Sequence, residues 1–279
     1  MQRTLQCGRY DLPLADDGSR PLVMGILNVT PDSFSDGGRF NLLESALDHA
    51  EQMMDDGVDI IDIGAESTRP GVQPLPVEEE LKRLLPVLYA LRDCGKPLSV
   101  DTRNPLVMRE ALMAGADMIN DVNGFRSSDA VDAIAQADCG LCIMHMQNDP
   151  ENMQQDPHYG DVVLEVTAFL RQAVDRLTAA GVDAARICVD PGFGFGKNLE
   201  HNVQLFKNLH AMKEGLHLPM LIGVSRKSMI GQITGKPVAE RLAGSLAAAL
   251  MAADRGADII RVHDVAATVD ALKLRRALT

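Results

Sequence analysis

The chain has 279 residues, 46% of them apolar, enough to bury one sizeable core and to be read as a single domain spanning 1–279. A formal net charge of −12 with only 4% aromatic residues excludes nucleic acid as a partner. It still allows anionic small substrates, because a site responds to its nearest charges rather than to a screened total. No apolar run reaches the roughly 20 residues that a membrane span requires. The opening Met-Gln-Arg-Thr-Leu-Gln-Cys lacks an apolar leader core, and the five cysteines are an odd number, so free thiols in a reducing, cytoplasmic setting are expected.

Residues 1–20, with Gly8-Arg9-Tyr10 and the turn signal Asp16-Asp17-Gly18, predict a small β-hairpin. From residue 21 one pattern repeats: a short apolar run ending in polar residues, then a longer stretch with helical spacing. The first run, 22–28 (LVMGILN), ends at Asn28 and leads into a helix over 42–56 that Gly57 stops. The second, 58–63 (VDIIDI), carries Asp62 and precedes a helix over 77–92. The third, 97–101 (PLSVD), ends at Asp101 before Thr102-Arg103, with a helix over 105–114 closed by Gly115. The fourth, 117–121 (DMIND), carries Asn120 and Asp121 and precedes a helix over 128–137. The fifth, 140–145 (GLCIMH), ends at His145 and feeds a helix over 161–180 closed by Gly181. The sixth, 186–190 (RICVD), ends at Asp190, before a glycine-rich loop and a helix over 200–214. The seventh, 218–224 (LPMLIGV), precedes Ser225-Arg226-Lys227 and a helix over 238–255 closed by Gly256. The eighth, 258–262 (DIIRV), carries Arg261, with His263 just beyond and a helix over 265–277.

Eight such units predict an α/β fold, a (β/α)8 TIM barrel with the short hairpin closing its N-terminal end; an open doubly wound sheet is the alternative. The near-continuous apolar runs suit parallel strands covered on both faces.

In a barrel of this kind the active site collects at the C-terminal ends of the strands. A single Asp or Asn there is an ordinary helix cap; convergence of many points to a site. Asp101, Asn120 and Asp190 are acceptors or mixed donor-acceptors, suited to the amide-like and amino edges of a flat heterocycle. Asn28, Thr68, Arg69, Arg261 and His263 are donors and cations that match a phosphate or diphosphate. Loops 29–39 (VTPDSFSDGGR) and 64–76 (GAESTRPGVQPLP) have the composition of mobile covers that would keep water from a reactive intermediate. No Ser, Cys or Lys stands in a nucleophile-base arrangement, so no covalent enzyme intermediate is indicated.

Three further signals have plainer readings. Cys139-Gly-Leu-Cys142 followed by His145 has the outline of a redox or zinc motif, but strand residues three apart face opposite sides, so packing explains the thiols. His145 itself stays open between a site-lining role and a satisfied core histidine. In Gly192-Phe-Gly-Phe-Gly-Lys-Asn198 the first glycine of a nucleotide phosphate loop would fall on Pro191, and Asn198 replaces its Ser or Thr. These glycines instead allow close backbone approach to a substrate, with Phe195 as a wall. The helix over 238–255 is apolar round more of its circumference than an outer barrel helix needs, which predicts a homodimer through the C-terminal helices.

The stretches GILNVTPDSFSDGG (25–38), DIIDIGAESTRPG (59–71), SVDT (99–102), INDVNG (119–124), DPGFGFGKN (190–198), GVSRKSMIG (223–231) and RVHDV (261–265) closely resemble the dihydropteroate synthases. They are long, ordered and spread over about residues 22–275. The resemblance implies a transferase that joins a pterin diphosphate to 4-aminobenzoate and releases pyrophosphate. It places the pterin ring on Asp101, Asn120, Asp190 and Lys227, with Asp62 in support. The diphosphate falls to Asn28, Thr68, Arg69, Arg261 and His263, with Asn28 as the ligand of Mg2+. The 4-aminobenzoate falls to Phe34, Thr68, Pro70, Phe195, Lys227 and Ser228. Catalysis would rest on Asp101, Asp190, Lys227 and Arg261. Two rival readings are the methyltetrahydrofolate-binding domains of corrinoid methyltransferases, which need no diphosphate clamp, and a pterin-binding barrel without catalysis.

Overall fold

A computed structural model describes residues 3–15, 20–30, 39–66, 75–149 and 152–278, with 39–41 by backbone alone. Among these residues, β1 (Thr4–Cys7) and β2 (Tyr10–Pro13) form an antiparallel hairpin. The parallel strands are β3 (Leu22–Asn28), β4 (Ile60–Gly64), β5 (Leu98–Asp101), β6 (Met118–Asp121), β7 (Gly140–Met144), β8 (Ile187–Asp190), β9 (Leu221–Ile222) and β10 (Ile259–Val262). They pair in the order β8-β7-β6-β5-β4-β3-β10-β9. A parallel bridge between Val189 and Met220 joins β8 to β9, with Val189 N–H donating to Pro219 O at 2.9 Å, and completes the circuit. The predicted TIM barrel is the fold.

The helices are α1 (Arg39–Asp55), α2 (Val77–Leu91), α3 (Pro105–Met113), α4 (Ser128–Ile134), α5 (Val162–Ala179), α6 (Leu199–Lys207), α7 (Leu209–Leu216), α8 (Ser228–Thr234), α9 (Leu242–Asp254) and α10 (Val265–Leu278). None of the described helices is long and apolar enough to cross a membrane. The structure departs from the sequence reading in three places. The helix expected over 200–214 is two, because Asn208 leaves helical geometry at φ −103° and ψ 12°, ending one helix and starting the next, while its side chain also donates to the Gln204 carbonyl at 2.8 Å. The strand expected over 218–224 is reduced to Leu221–Ile222, since Pro219 has no N–H to offer. Helix α8, which follows Lys227 directly, was not anticipated.

Alternation along the strands sorts their side chains. Val23, Ile61, Val100, Ile119, Leu141, Val189 and Ile260 point outward into one core with the helices. Met24, Ile60, Met118, Cys142, Cys188, Leu221 and Ile259 point into the barrel, where they meet Leu5, Cys7, Leu12 and Leu14 of the hairpin. The hairpin therefore plugs the N-terminal end; each fully buried leucine contributes about 2 kcal/mol. Gly8, at φ +57°, makes the turn and brings the backbone so close to Asp117 that a Cβ would stand 2.8 Å from its Cα. Arg9 then clamps Asp117 from Nε at 2.8 Å and Nη2 at 3.0 Å. The turn lies at Gly8-Arg9; the Asp16-Asp17-Gly18 signal lies outside the described residues.

Cys139 and Cys142 belong to different layers, Cys139 to the outer core and Cys142 to the barrel interior beside Cys188. All five cysteines are free thiols. Continuing two residues along the inward faces explains the site: Ile60 is followed by Asp62, Met118 by Asn120, Cys188 by Asp190 and Ile259 by Arg261. The lower barrel is apolar and the upper barrel is polar.

Candidate active site

Arg261 stands at the centre of the barrel mouth. Its Nε donates to Asp62 Oδ2 at 2.7 Å and its Nη2 to Asp101 Oδ2 at 2.8 Å. Asn120, which pairs with Asp101 across β5 and β6, donates from Nδ2 to the same Asp62 oxygen at 3.3 Å. Asp62 is fully buried, and among the described residues its Oδ1 has no hydrogen-bond partner; nor does Ser99 Oγ, its register neighbour on β5. A buried carboxylate oxygen without a partner is a standing demand for a donor, which a ring N–H or amino group supplies.

One guanidinium shared between two carboxylates leaves negative charge in excess. Burial, with Asp62 alongside, outweighs Arg261 and pushes the Asp101 carboxyl up to about 7. Burial works against the Arg261 guanidinium too, but Asp62 and Asp101 more than offset it and raise its pKa. Burial likewise raises Asp190, against the pull of Lys227 and of the Gly192 N–H that donates to its Oδ1 at 2.7 Å.

Lys227 closes the other side of the mouth. Its ammonium lies 4.6 Å from the centroid of the Phe195 ring and donates to Phe193 O. Burial lowers it to about 8, despite attraction to Asp190. Arg226 before it, at φ +57°, turns outward to pair with Asp264, which lets Lys227 face inward. His263 is held by Ser225, whose Oγ lies 3.0 Å from Nδ1, and burial with nearby Arg261 lowers its imidazole to about 4. It is therefore neutral near neutral pH.

Two glycines keep the mouth open. A Cβ on Gly223 would lie 3.8 Å from Arg261 Cβ and 3.9 Å from Asp190 Oδ2. A Cβ on Gly64 would lie 3.8 Å from Asn28 Oδ1 and 3.9 Å from Asp101 Oδ2, so two oxygens face the space that this missing side chain leaves. Phe195 packs against an apolar shelf of Val122, Met144, Met146 and Met153. Ser228 is exposed at the start of α8.

Residues 24–263 match the family described as pterin binding enzyme. The dihydropteroate synthase of Neisseria meningitidis serogroup C is 50% identical over 277 residues, covering 98% of this chain and 96% of the relative. This chain belongs to the dihydropteroate synthase family. Among solved structures, the dihydropteroate synthase of Burkholderia cenocepacia complexed with 7,8-dihydropteroate superposes with a TM-score of 0.90 at 51% identity, covering 99% of this chain and 96% of that one. The dihydropteroate synthase of Xanthomonas albilineans with 4-aminobenzoic acid gives a TM-score of 0.91 at 48% identity over 100% of this chain and 98% of that one.

Of the residues that the resemblance to dihydropteroate synthases singled out, the barrel brings Asp62, Asp101, Asn120, Asp190, Lys227 and Arg261 to one mouth, with Asn28, Phe195, Ser228 and His263 on strand ends or loops around it. Phe34, Thr68, Arg69 and Pro70 lie outside the described residues. Arg261 joins two groups that the sequence kept apart, since its bonded partners here are ring-side acids. Ser99 and the apolar shelf went unnoticed. Alternation could have placed Ser99, two positions before Asp101, but the methionines of the shelf carry no chemical signal distinguishing them from core.

Proposed function

We propose that this family member catalyses the family reaction, joining (7,8-dihydropterin-6-yl)methyl diphosphate to 4-aminobenzoate with release of pyrophosphate. The observation that carries this reading is the Asp62–Arg261–Asp101 bridge at the floor of the mouth, with an unpartnered Asp62 oxygen on one side and the neutral His263 on the other. Acids toward a ring and hydrogen-bond donors toward its tail is the polarity such a substrate needs.

In the proposed mechanism the pterin ring seats against Asp62, Asp101, Asn120 and Asp190. The carbon–oxygen bond to the diphosphate breaks first and leaves a cation delocalised into the ring. Asp101 and Asp190, whose pKa values burial holds above the usual carboxylate range, would in their ionised form stabilise that cation as it develops against them. Arg261 and His263, with Thr68 and Arg69 from the segment after β4, would meet the departing charge, and His263 could gain a proton from solvent as it does so. Lys227 spans both halves: its ammonium faces Asp190 and covers Phe195, which together with Phe34, Thr68, Pro70 and Ser228 would seat 4-aminobenzoate. The neutral aniline nitrogen then attacks the methylene carbon and sheds one proton to the released diphosphate or to solvent. Each preorganised contact of this kind is worth on the order of 3 kcal/mol.

The oxygens of Asn28 and Asp101 around Gly64 suit a hard divalent cation such as Mg2+. No group of three or more His, Cys, Asp or Glu among the described residues could hold a metal, so Asn28 would bind such an ion jointly with diphosphate and water oxygens. When bound, it would neutralise charge on the leaving group.

We further propose that residues 1–279 work as one domain in the cytoplasm, where five free thiols persist. We propose a homodimer in which Leu242 and Met251 of α9 and Leu274 and Leu278 of α10, all exposed, are covered by a second copy. The test of function is pyrophosphate release. It should require both substrates together; tight pterin binding without release in the presence of 4-aminobenzoate would leave only a binding module.

A further inference from the structure

Lys197 is a buried amine for which the reaction scheme has no use. Its side chain is 3% exposed. Nζ donates to Gly192 O at 2.9 Å and Phe195 O at 3.0 Å, lies 2.9 Å from His145 Nδ1 and reaches His145 O at 3.4 Å. All of these acceptors are neutral, and among the described residues Lys197 forms no ion pair. Burial pushes the Lys197 amine, in contact with the His145 imidazole, well below its usual pKa range. Burial and Lys197 hold that imidazole in its neutral form, down at about 2. Burying an amine without a counter-ion costs it either its charge or its solvation, and a methionine would fill the same space without that cost. Something other than packing accounts for it.

The acceptors say what. Gly192, Gly194 and Gly196 have φ of +70°, +77° and +60°, and this run of left-handed residues turns loop carbonyls inward. The loop also lies hard against the end of β7: a Cβ on Gly192 would stand 1.8 Å from His145 O, and one on Gly196 would stand 2.7 Å from Gln147 O. Lys197 is the donor that satisfies the inward carbonyls. The same loop carries site groups at Gly192, Phe193 and Phe195. Gly192 N–H donates to Asp190 Oδ1 at 2.7 Å, Phe193 O accepts from Lys227, and the Phe195 ring lies under Lys227.

We infer that Lys197 is a positioning residue for the transfer reaction: through His145 it fastens the carbonyls of Gly192 and Phe195 to the end of β7, and so sets where the Asp190 carboxylate and the Phe195 ring stand against the two substrates. This rests on the activity proposed above. Lys197 touches neither substrate and acts through the loop. The pair His145 and Lys197 also resolves the open histidine: it is a structural partner of Lys197 behind the site.

The test uses the full chain and compares wild type with Lys197→Met, each assayed for pyrophosphate release well below its melting temperature. A wild-type chain that releases none sinks the activity and this inference with it. With an active wild type, Lys197→Met should raise KM for 4-aminobenzoate about tenfold and lower kcat/KM on the order of 100-fold, the usual loss for a displaced group. A variant that melts earlier but keeps wild-type KM and kcat per folded molecule has lost only structural support, and overturns the inference. If Lys197→Met fails to fold, His145 decides. His145→Leu removes the partner and should reproduce the KM rise, whereas His145→Asn, whose amide oxygen can stand where Nδ1 stands, should restore KM to near wild type. Equal KM values in those two variants overturn the inference.

Discussion

Arg261 Nη2 donates to Asp101 Oδ2 at 2.8 Å across a separation of 160 residues in the chain. The same guanidinium holds the fully buried Asp62 at 2.7 Å, so one side chain balances two acids on the floor of the mouth. Reading Arg261 from the sequence as an anion ligand alone would leave the fold intact on Arg261→Ala. The structure revises that expectation, because the substitution leaves two carboxylates without their cation, at a cost of about 3 kcal/mol. We expect pyrophosphate release to fall on the order of 100- to 1,000-fold, together with a lower melting temperature. Adding Asp62→Asn should recover stability without recovering turnover. Normal release by Arg261→Ala would remove Arg261 from the mechanism.

His263 offers a binding signature. Its imidazole is lowered to about 4 from an ordinary 6.5, so the native state prefers it neutral, and the stability it contributes is lost as pH falls through that interval. An anion arriving beside it should raise its pKa and draw in a proton. Calorimetry of pyrophosphate binding at a pH of about 6, in buffers of different ionisation enthalpy, should register proton uptake that His263→Gln abolishes. Equal uptake in the two proteins would separate His263 from the diphosphate.

Glu80, in the first turn of α2, is buried and accepts the Thr102 hydroxyl at 2.6 Å. Burial raises its carboxyl to about 7 from 4.5. A raised carboxyl binds its proton more tightly in the folded state, so its contribution to stability is complete below 4.5 and disappears as pH rises through about 7. Glu80→Gln, a permanent mimic of the protonated form, should flatten the decline of melting temperature across that window. Parallel curves for the two proteins would show that Glu80 is not held protonated.

For the proposed dimer, Leu242 and Met251, 43% and 45% exposed on α9, are the probes. Leu242→Glu and Met251→Glu place a charge on the apolar face of α9 without touching its buried residues Ser245, Ala249, Ala252 and Ala253. Light scattering should find a dimer for wild type and a monomer for these variants. A wild-type monomer at micromolar concentration would set the dimer aside.

Much of the site was legible from local rules. A strand sends every second side chain the same way, so Asp62 after Ile60, Asn120 after Met118, Asp190 after Cys188 and Arg261 after Ile259 had to share the barrel interior once the eight strands were recognised. Gly57, Gly115, Gly181 and Gly256 marked helix ends because left-handed backbone there favours glycine; their φ values are +87°, +105°, +92° and +88°. Helix α8 and the break at Asn208 were not legible, because Asn is tolerated within helices and seven residues are too few for a periodic signal.

The sequence by itself determined the barrel, its plugged end, and which side chains face the mouth, since those follow from repeat and alternation along the chain. Only the tertiary structure decided which of those groups meet: Arg261 with Asp62 and Asp101, Lys227 with Phe195, Lys197 with His145. The physical reason is that such contacts depend on the stagger between strands and on how far each loop folds back. Both are set by packing among residues far apart in the chain, and no local pattern records them.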